Sequence, residues 1–216
     1  MLPDSAELRV LGCLIEKQRT TPDAYPLTLN SLCLACNQST NRDPVVDYDE
    51  SAVRDALDRL GARGWVRLAT WSDRRTKKYR HLVGDALKLS DADQALLCLL
   101  MLRGPQTSAE LRQRSDRLHS FGSSEELDEV LATLAERELV AEAAREPGRR
   151  GQRFRQLLDG GEGSEAPAPP APAVPPPPAP APAGGEGLAG RVTSLEEELA
   201  ALRRDLDSLR RELGAG

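Results

Sequence analysis

The sequence predicts a mainly α-helical chain with small β wings, in which two tandem winged-helix domains are followed by a C-terminal coiled-coil helix. Three observations predict it. A helix-helix-helix-hairpin pattern occurs twice in succession. Ten of the sixteen prolines then fall between Pro167 and Pro182, where neither a helix bundle nor a central strand can form. Beyond them leucines recur in heptads. The expected segments are residues 1–84 and 85–159 for the two winged helices, 160–187 for a Pro/Ala/Gly-rich linker and 188–214 for the coil.

A first helix starts at a Pro3-Asp4-Ser5 cap and carries Leu8, Leu11, Leu14 and Ile15 at helical spacing as far as Gln18. A second begins near Thr28, with Leu29, Leu32, Cys33 and Cys36 on one face. The polar stretch Asn37 to Pro44 follows. A third helix begins near Asp47 or Asp49, where Asp47 with Glu50 reads as a capping box, and it turns Val53, Leu57 and Leu60 inward. Gly61 or Gly64 ends it. Trp65 to Trp71, a polar turn at residues 72–75, and Thr76 to Leu82 read as a β-hairpin.

The order then recurs. A helix runs from a Ser90 cap, with Asp93 at N3, to Arg103, and Gly104-Pro105 stops it. A short helix follows Thr107/Ser108, and a third spans about Ser124 to Arg137 with Leu127, Val130, Leu131 and Leu134 inward. Val140 to Arg145 and Gln152 to Leu157 flank a turn at residues 146–151. A shift of 74 residues superposes Leu57 on Leu131, Leu60 on Leu134, Arg63 on Arg137 and Val66 on Val140. Three helices followed by a two-stranded wing make a winged helix, a helix-turn-helix variant.

Leu11-Gly12-Cys13-Leu14-Ile15-Glu16-Lys17-Gln18, Thr21-Pro22-Asp23-Ala24-Tyr25-Pro26-Leu27-Thr28-Leu29-Asn30, Ala35-Cys36-Asn37-Gln38 and Asn41-Arg42-Asp43-Pro44-Val45 resemble the YceH-like family of bacterial proteins. The resemblance covers roughly residues 5 to 158 and is densest in the first half. It implies a tandem winged-helix fold and no particular activity. The spacer and terminal helix read as an elaboration on the part shared with that family.

Charge is uneven. Residues 1–84 carry 13 Lys+Arg against 11 Asp+Glu, residues 85–160 carry 11 against 14, and the remainder carries 5 against 9. From Arg63 to His81, seven basic residues (Arg63, Arg67, Arg74, Arg75, Lys77, Lys78, Arg80) face one acid, Asp73. The second hairpin has Arg145, Arg149, Arg150, Arg153 and Arg155 against Glu146. Such hairpins are either solvated faces or wings that reach a phosphate backbone.

Asn37, Gln38, Asn41 and Arg42 lie in the helix-turn-helix connection and have two readings, as phosphate donors or as a hydrogen-bond network that fixes the connection. The candidate nucleic-acid contacts are these four with Arg74, Arg75, Lys77, Lys78, Arg149 and Arg150. The exposed side of the second copy's third helix, with Glu125, Asp128, Glu129, Thr133 and Glu136, suits neither phosphate nor guanine edges. DNA and a protein partner therefore both stand as expectations, with an adaptor function as the alternative to DNA association.

Cys33 and Cys36 form a CxxC within a helix, but a structural zinc site needs four ligands, and His81 and His119 are far apart. Buried thiols are the expectation, with no metal and no cofactor. No phosphate loop, nucleophile elbow or zinc-protease motif is present, so the chain is expected not to be an enzyme. MLPDSAELRVLG is no secretory signal, and the longest apolar run, Ala95 to Leu102, is far below the ~20 residues of a membrane span. A cytoplasmic protein is expected.

At the C-terminus, Val192, Leu199, Leu206 and Leu213 fall at heptad position a, and Leu188, Leu195, Leu202 and Leu209 at d. In a parallel pair, Arg191, Glu198 and Asp205 would meet Glu196, Arg203 and Arg210 of the second copy, each time with opposite charge. A homodimer is expected. Leu at most a positions leaves a trimer open, and a single helix folding back on the rest of the chain is the other reading.

Overall fold

The computed structural model describes residues 2–69, 77–143 and 151–160, all within one compact unit, Met1–Ala168. Seven helices and six strands are described: α1 Ser5–Thr20, β1 Leu27–Thr28, α2 Leu29–Cys36, α3 Glu50–Ala62, β2 Val66–Ala69, β3 Lys78–His81, α4 Val83–Leu87, α5 Asp91–Arg103, β4 Gln106–Thr107, α6 Ser108–Ser115, α7 Ser124–Glu136, β5 Val140–Glu142 and β6 Arg153–Gln156. A 3₁₀ turn, Pro22–Ala24, follows α1.

The order helix, short strand, helix, helix, hairpin occurs twice, and each copy has an antiparallel three-stranded sheet of the same order, β1-β3-β2 and β4-β6-β5. The short strands β1 and β4 add a third strand that alternation in the hairpins alone does not reveal. Leu27 lies opposite Tyr79 in the first sheet, and Gln106 opposite Phe154 in the second. α4 joins the two copies.

Side-chain caps set most helix starts. Asp4 accepts the Glu7 N–H while Glu7 accepts the Asp4 N–H, and Ser90 with Asp93 and Thr107 with Glu110 repeat that box. For α3 the cap is Asp49, whose carboxylate accepts the Ala52 N–H at 2.8 Å, so the box expected from Asp47 and Glu50 is not the one that forms. α3 ends with Arg63 as C-cap and Gly64 at φ +74°, a conformation open to glycine at little cost.

The core runs through both copies. Leu11, Leu14, Ile15, Leu32 and Leu60 in the first, and Leu96, Leu97, Leu111, Leu127, Leu131 and Leu134 in the second, are almost wholly buried. Residues 93–102 of α5 are buried all round, as expected of a helix with no solvent face. The broadest helix contact of the fold is α1 on α5. Gly12 allows it, because a Cβ there would lie 2.9 Å from Leu102 Cγ and Cδ2. Among the described residues no helix is long and apolar enough to cross a membrane.

Candidate nucleic-acid interface

Two clusters from the sequence reading fall on described residues, and they turn out differently. The connection between α2 and α3 folds inward. Arg42 is buried, and all five of its N–H groups are engaged: Nε to the Ala35 carbonyl at 3.1 Å, Nη1 to Glu16 at 3.1 Å and the Asn41 carbonyl at 2.8 Å, and Nη2 to Glu16 at 2.7 Å, Ala35 at 3.0 Å and Gln38 at 2.9 Å. A guanidinium so saturated has nothing left for a phosphate. Arg42 is thus the centre of a latch, in keeping with the network reading of this connection.

The neighbouring candidates serve the same latch. Asn37 donates to the Tyr48 carbonyl at 2.8 Å and accepts the Tyr48 N–H at 2.9 Å, clamping the two ends of the loop. Gln38 accepts from Lys17 Nζ at 3.3 Å as well as from Arg42. Asn41, at φ +61°, accepts from Arg103 at the end of α5, and the Asp43 N–H donates to the Leu102 carbonyl at 2.9 Å. The loop thereby satisfies a carbonyl that the C-terminus of α5 leaves open. Of the two readings of this cluster, the network is the one these contacts support.

The latch rests on two charged residues of α1. Arg9, buried, donates to the Cys36 carbonyl at 3.1 Å and the Pro44 carbonyl at 2.6 Å. Glu16 pairs with Arg42 and with Lys17. Burial pushes the Glu16 carboxyl up, but the Arg42 guanidinium outweighs it and holds the pKa below the usual range. Sequence reasoning missed this pair. The available signal was spacing: Arg9 and Glu16 lie seven residues apart, on one face of a helix whose neighbouring positions are apolar.

The described strands of the first hairpin bring basic side chains together. Arg67 lies directly opposite Arg80, and Lys78 lies two residues from Arg80 on the same face, while Val66 and His81 occupy the buried face. Like charges directly opposite one another destabilise a hairpin. Arg67, Lys77, Lys78 and Arg80 make no ion pair among the described residues, and Arg80 Nε is buried without a hydrogen-bond partner. Arg74, Arg75, Arg149 and Arg150 lie outside the described residues, as do Leu188, Val192, Leu195, Leu199, Leu202, Leu206, Leu209 and Leu213.

The second hairpin is neutralised at its base. Arg153 donates to the Pro105 carbonyl at 2.7 Å and pairs with Glu110 at 3.2 Å. On α7, Glu125, Asp128, Glu129, Thr133 and Glu136 are all exposed, with Glu126 beside them. The four cysteines are buried free thiols; burial pushes Cys33 and Cys98 up, and contact with the Cys13 thiol, then burial, does the same to Cys36. Trp65 is half-buried against the core, with the Arg63 guanidinium 6.0 Å from its ring centroid.

The family described as "Protein of unknown function, DUF480" matches residues 4–149 of this sequence. The chain belongs to that family. A UPF0502 protein of Shewanella sp. strain ANA-3 is 44% identical to it over 209 residues, covering 94% of this chain and 95% of the relative. A UPF0502 protein of Pelobacter propionicus is 43% identical over 216 residues, covering 97% of both. One from Citrifermentans bemidjiense reaches 51% over 159 residues, 73% of this chain and 74% of its own. The YceH-like resemblance is consistent with that membership. DUF480 relatives matching 94–97% of this chain extend well past residue 160, so the C-terminal segment is not an elaboration peculiar to it.

Proposed function

We propose that this DUF480 protein is a non-enzymatic, DNA-associated regulatory protein whose two copies are winged helices and whose first wing tracks the phosphate backbone. The element order and the matching strand orders support the winged-helix reading. The observation that carries the DNA reading is the in-register opposition of Arg67 and Arg80 beside Lys78, a cationic face whose members make no ion pair among the described residues. An anionic backbone relieves that repulsion and releases counterions. Arg74, Arg75, Arg149 and Arg150 extend the same charge in the sequence. The heptads from Leu188 to Leu213 pair two chains and so bring two first wings to one duplex.

The rival reading is a protein-docking adaptor. It is favoured by the carboxylates of α7 and by Leu34 on α2 and Val45 in the latch, 65% and 58% exposed.

Fluorescence anisotropy with a random duplex of about 25 base pairs separates the two. Binding is expected at low salt and should weaken steeply between ~50 and ~200 mM salt. The R67A/R74A/R75A/K77A/K78A variant should lose at least tenfold. The L199K/L206K variant should run as a monomer by light scattering and bind more weakly than the parent. Absence of affinity for any duplex at low salt overturns the DNA reading in favour of the adaptor.

A further inference from the structure

A groove of about 420 Å³ opens where the two copies meet. Its walls are Glu16 and Thr20 of α1, Asn41 of the latch, Leu99, Leu102 and Arg103 of α5, and the end of α6 with the turn after it, through Gln113, Arg114, Asp116, Arg117 and Leu118. The volume lies within the range of roughly 300–1,000 Å³ common for small-molecule sites.

Three guanidiniums converge on it. Arg103 hydrogen-bonds the neutral amide oxygen of Asn41. Arg114 donates to the neutral Gln106 Oε1 at 2.7 Å and reaches Glu110 only at 3.5 Å. Arg117 is exposed and makes no ion pair among the described residues. Two acids line the groove, Glu16, already held by Arg42 and Lys17, and Asp116 at the rim, while Glu110, outside the lining, is shared between Arg114 and Arg153. Burial first, and then the charge of Arg114, push the Arg103 pKa below its usual value, as crowded cations would.

We infer that this groove binds a small organic oxyanion, its phosphate or carboxylate group held by Arg103, Arg114 and Arg117 and its body lying against Leu99, Leu102 and Leu118. Planar guanidinium forks suit both kinds of oxyanion. The occupant shares Arg103 with Asn41, so its binding acts on the contact that fastens the latch to α5. The site is independent of the hairpin face assigned to DNA.

The test is an NMR titration of the ¹⁵N-labelled full chain, following backbone amides and arginine Nε–H groups, with pyrophosphate and then citrate at constant ionic strength. Saturable shifts are expected at Arg103, Gln113, Arg114 and Arg117. Response to pyrophosphate alone assigns a phosphate ligand, and response to citrate alone a carboxylate. The R114Q/R117Q variant should bind at least tenfold more weakly. R117Q, altering only an exposed side chain, should weaken binding about threefold and keep the parent's spectrum elsewhere. R67A/K77A/K78A should leave the groove shifts intact. Shifts that do not saturate, that sodium chloride reproduces, that map to the first hairpin, or that survive R114Q/R117Q unchanged overturn the proposal.

Discussion

The two copies share a topology and close it by opposite means. Counted from the N-caps Asp4 and Ser90, the N3 acids Glu7 and Asp93 are equivalent, and each meets the C-cap arginine of its own third helix, Arg63 at 3.1 Å and Arg137 at 3.9 Å. Further along the correspondence breaks. Arg9 and Glu16 of α1 become Ala95 and Leu102 of α5, so a buried polar network stands against an apolar helix. The difference follows the connections they serve: thirteen residues, 37–49, between α2 and α3, but eight, 116–123, between α6 and α7. A long loop on the surface of a core has many backbone groups to satisfy, and Arg9 and Arg42 satisfy several from within.

Electrostatics diverge in the same direction. The first hairpin presents Arg67 opposite Arg80, whereas the second pairs Ala141 with Arg155 and ties Arg153 to Glu110. The repeat has thus kept its scaffold and separated its surfaces, a cationic hairpin in one copy and an acidic third helix in the other.

The largest expected effect breaks the latch. Arg42→Met leaves Glu16 with only Lys17 and strips the Ala35 carbonyl of its donors, and it should cost about 3–5 kcal/mol in urea denaturation. Adding Glu16→Leu, which supplies the residue type that α5 carries as Leu102, should recover roughly half of that loss, since apolar replacement of both partners of a buried pair is often tolerated. A double variant no more stable than R42M alone would show that the second copy's solution does not fit the first.

The next effect reads out His81, which Val66 pairs with as Val140 pairs with the non-titrating Gln156. Burial, and then Arg19 and Arg80, hold the His81 pKa down to about 4, and Nε2 contacts Gln18 Oε1 at 2.5 Å. The unfolded chain takes up this proton first. Stability is therefore full above about pH 6.5 and falls as pH drops towards 4, by on the order of 2–3 kcal/mol. The carboxylates held low, Glu7, Glu16 and Asp91, add their losses only below the ordinary carboxylate range of ~4. His81→Gln should flatten the upper part of this profile in denaturation curves between pH 6.5 and 4.5. An unchanged slope would remove His81 from the account.

Legibility followed periodicity and failed where side chains reach across the chain. The helices were readable because Leu11, Leu14, Val53, Leu57, Leu127 and Leu131 recur at the spacing that buries them. The shift of 74 was readable too, since α3 and α7 begin and end 74 residues apart. Two-residue strands such as β1 and β4 have no period of their own and form because β3 and β6 offer an edge. The two readings of Arg42 stayed open because nothing local distinguishes a donor aimed outward from one aimed at Glu16, 26 positions earlier. The charge of the first hairpin was legible, whereas the opposition of Arg67 and Arg80 required the register.

The smallest effect concerns the way each third helix ends. The residue after the C-cap turns left-handed in both copies, Gly64 at φ +74° and Glu138 at φ +54°, and the following N–H groups, Trp65 and Leu139, donate back to Leu60 and Leu134 at 3.0 and 2.9 Å. The backbone closure is the same, and only the residue differs. An L side chain in this conformation carries a penalty of about 1–2 kcal/mol that glycine avoids, partly offset by glycine's greater freedom when unfolded. A Cβ at Gly64 would meet nothing within 4 Å, so Gly64→Ala tests conformation without a clash and should destabilise by about 1 kcal/mol. Glu138→Gly should act in the opposite direction, stabilising by roughly 0.5 kcal/mol in the same urea titration. Exchange of the two residues, G64E with E138G, should then leave the total nearly unchanged. A loss well above 1 kcal/mol in the exchanged chain would mean that the two helix ends are not equivalent, and that the first copy needs its glycine for more than the turn.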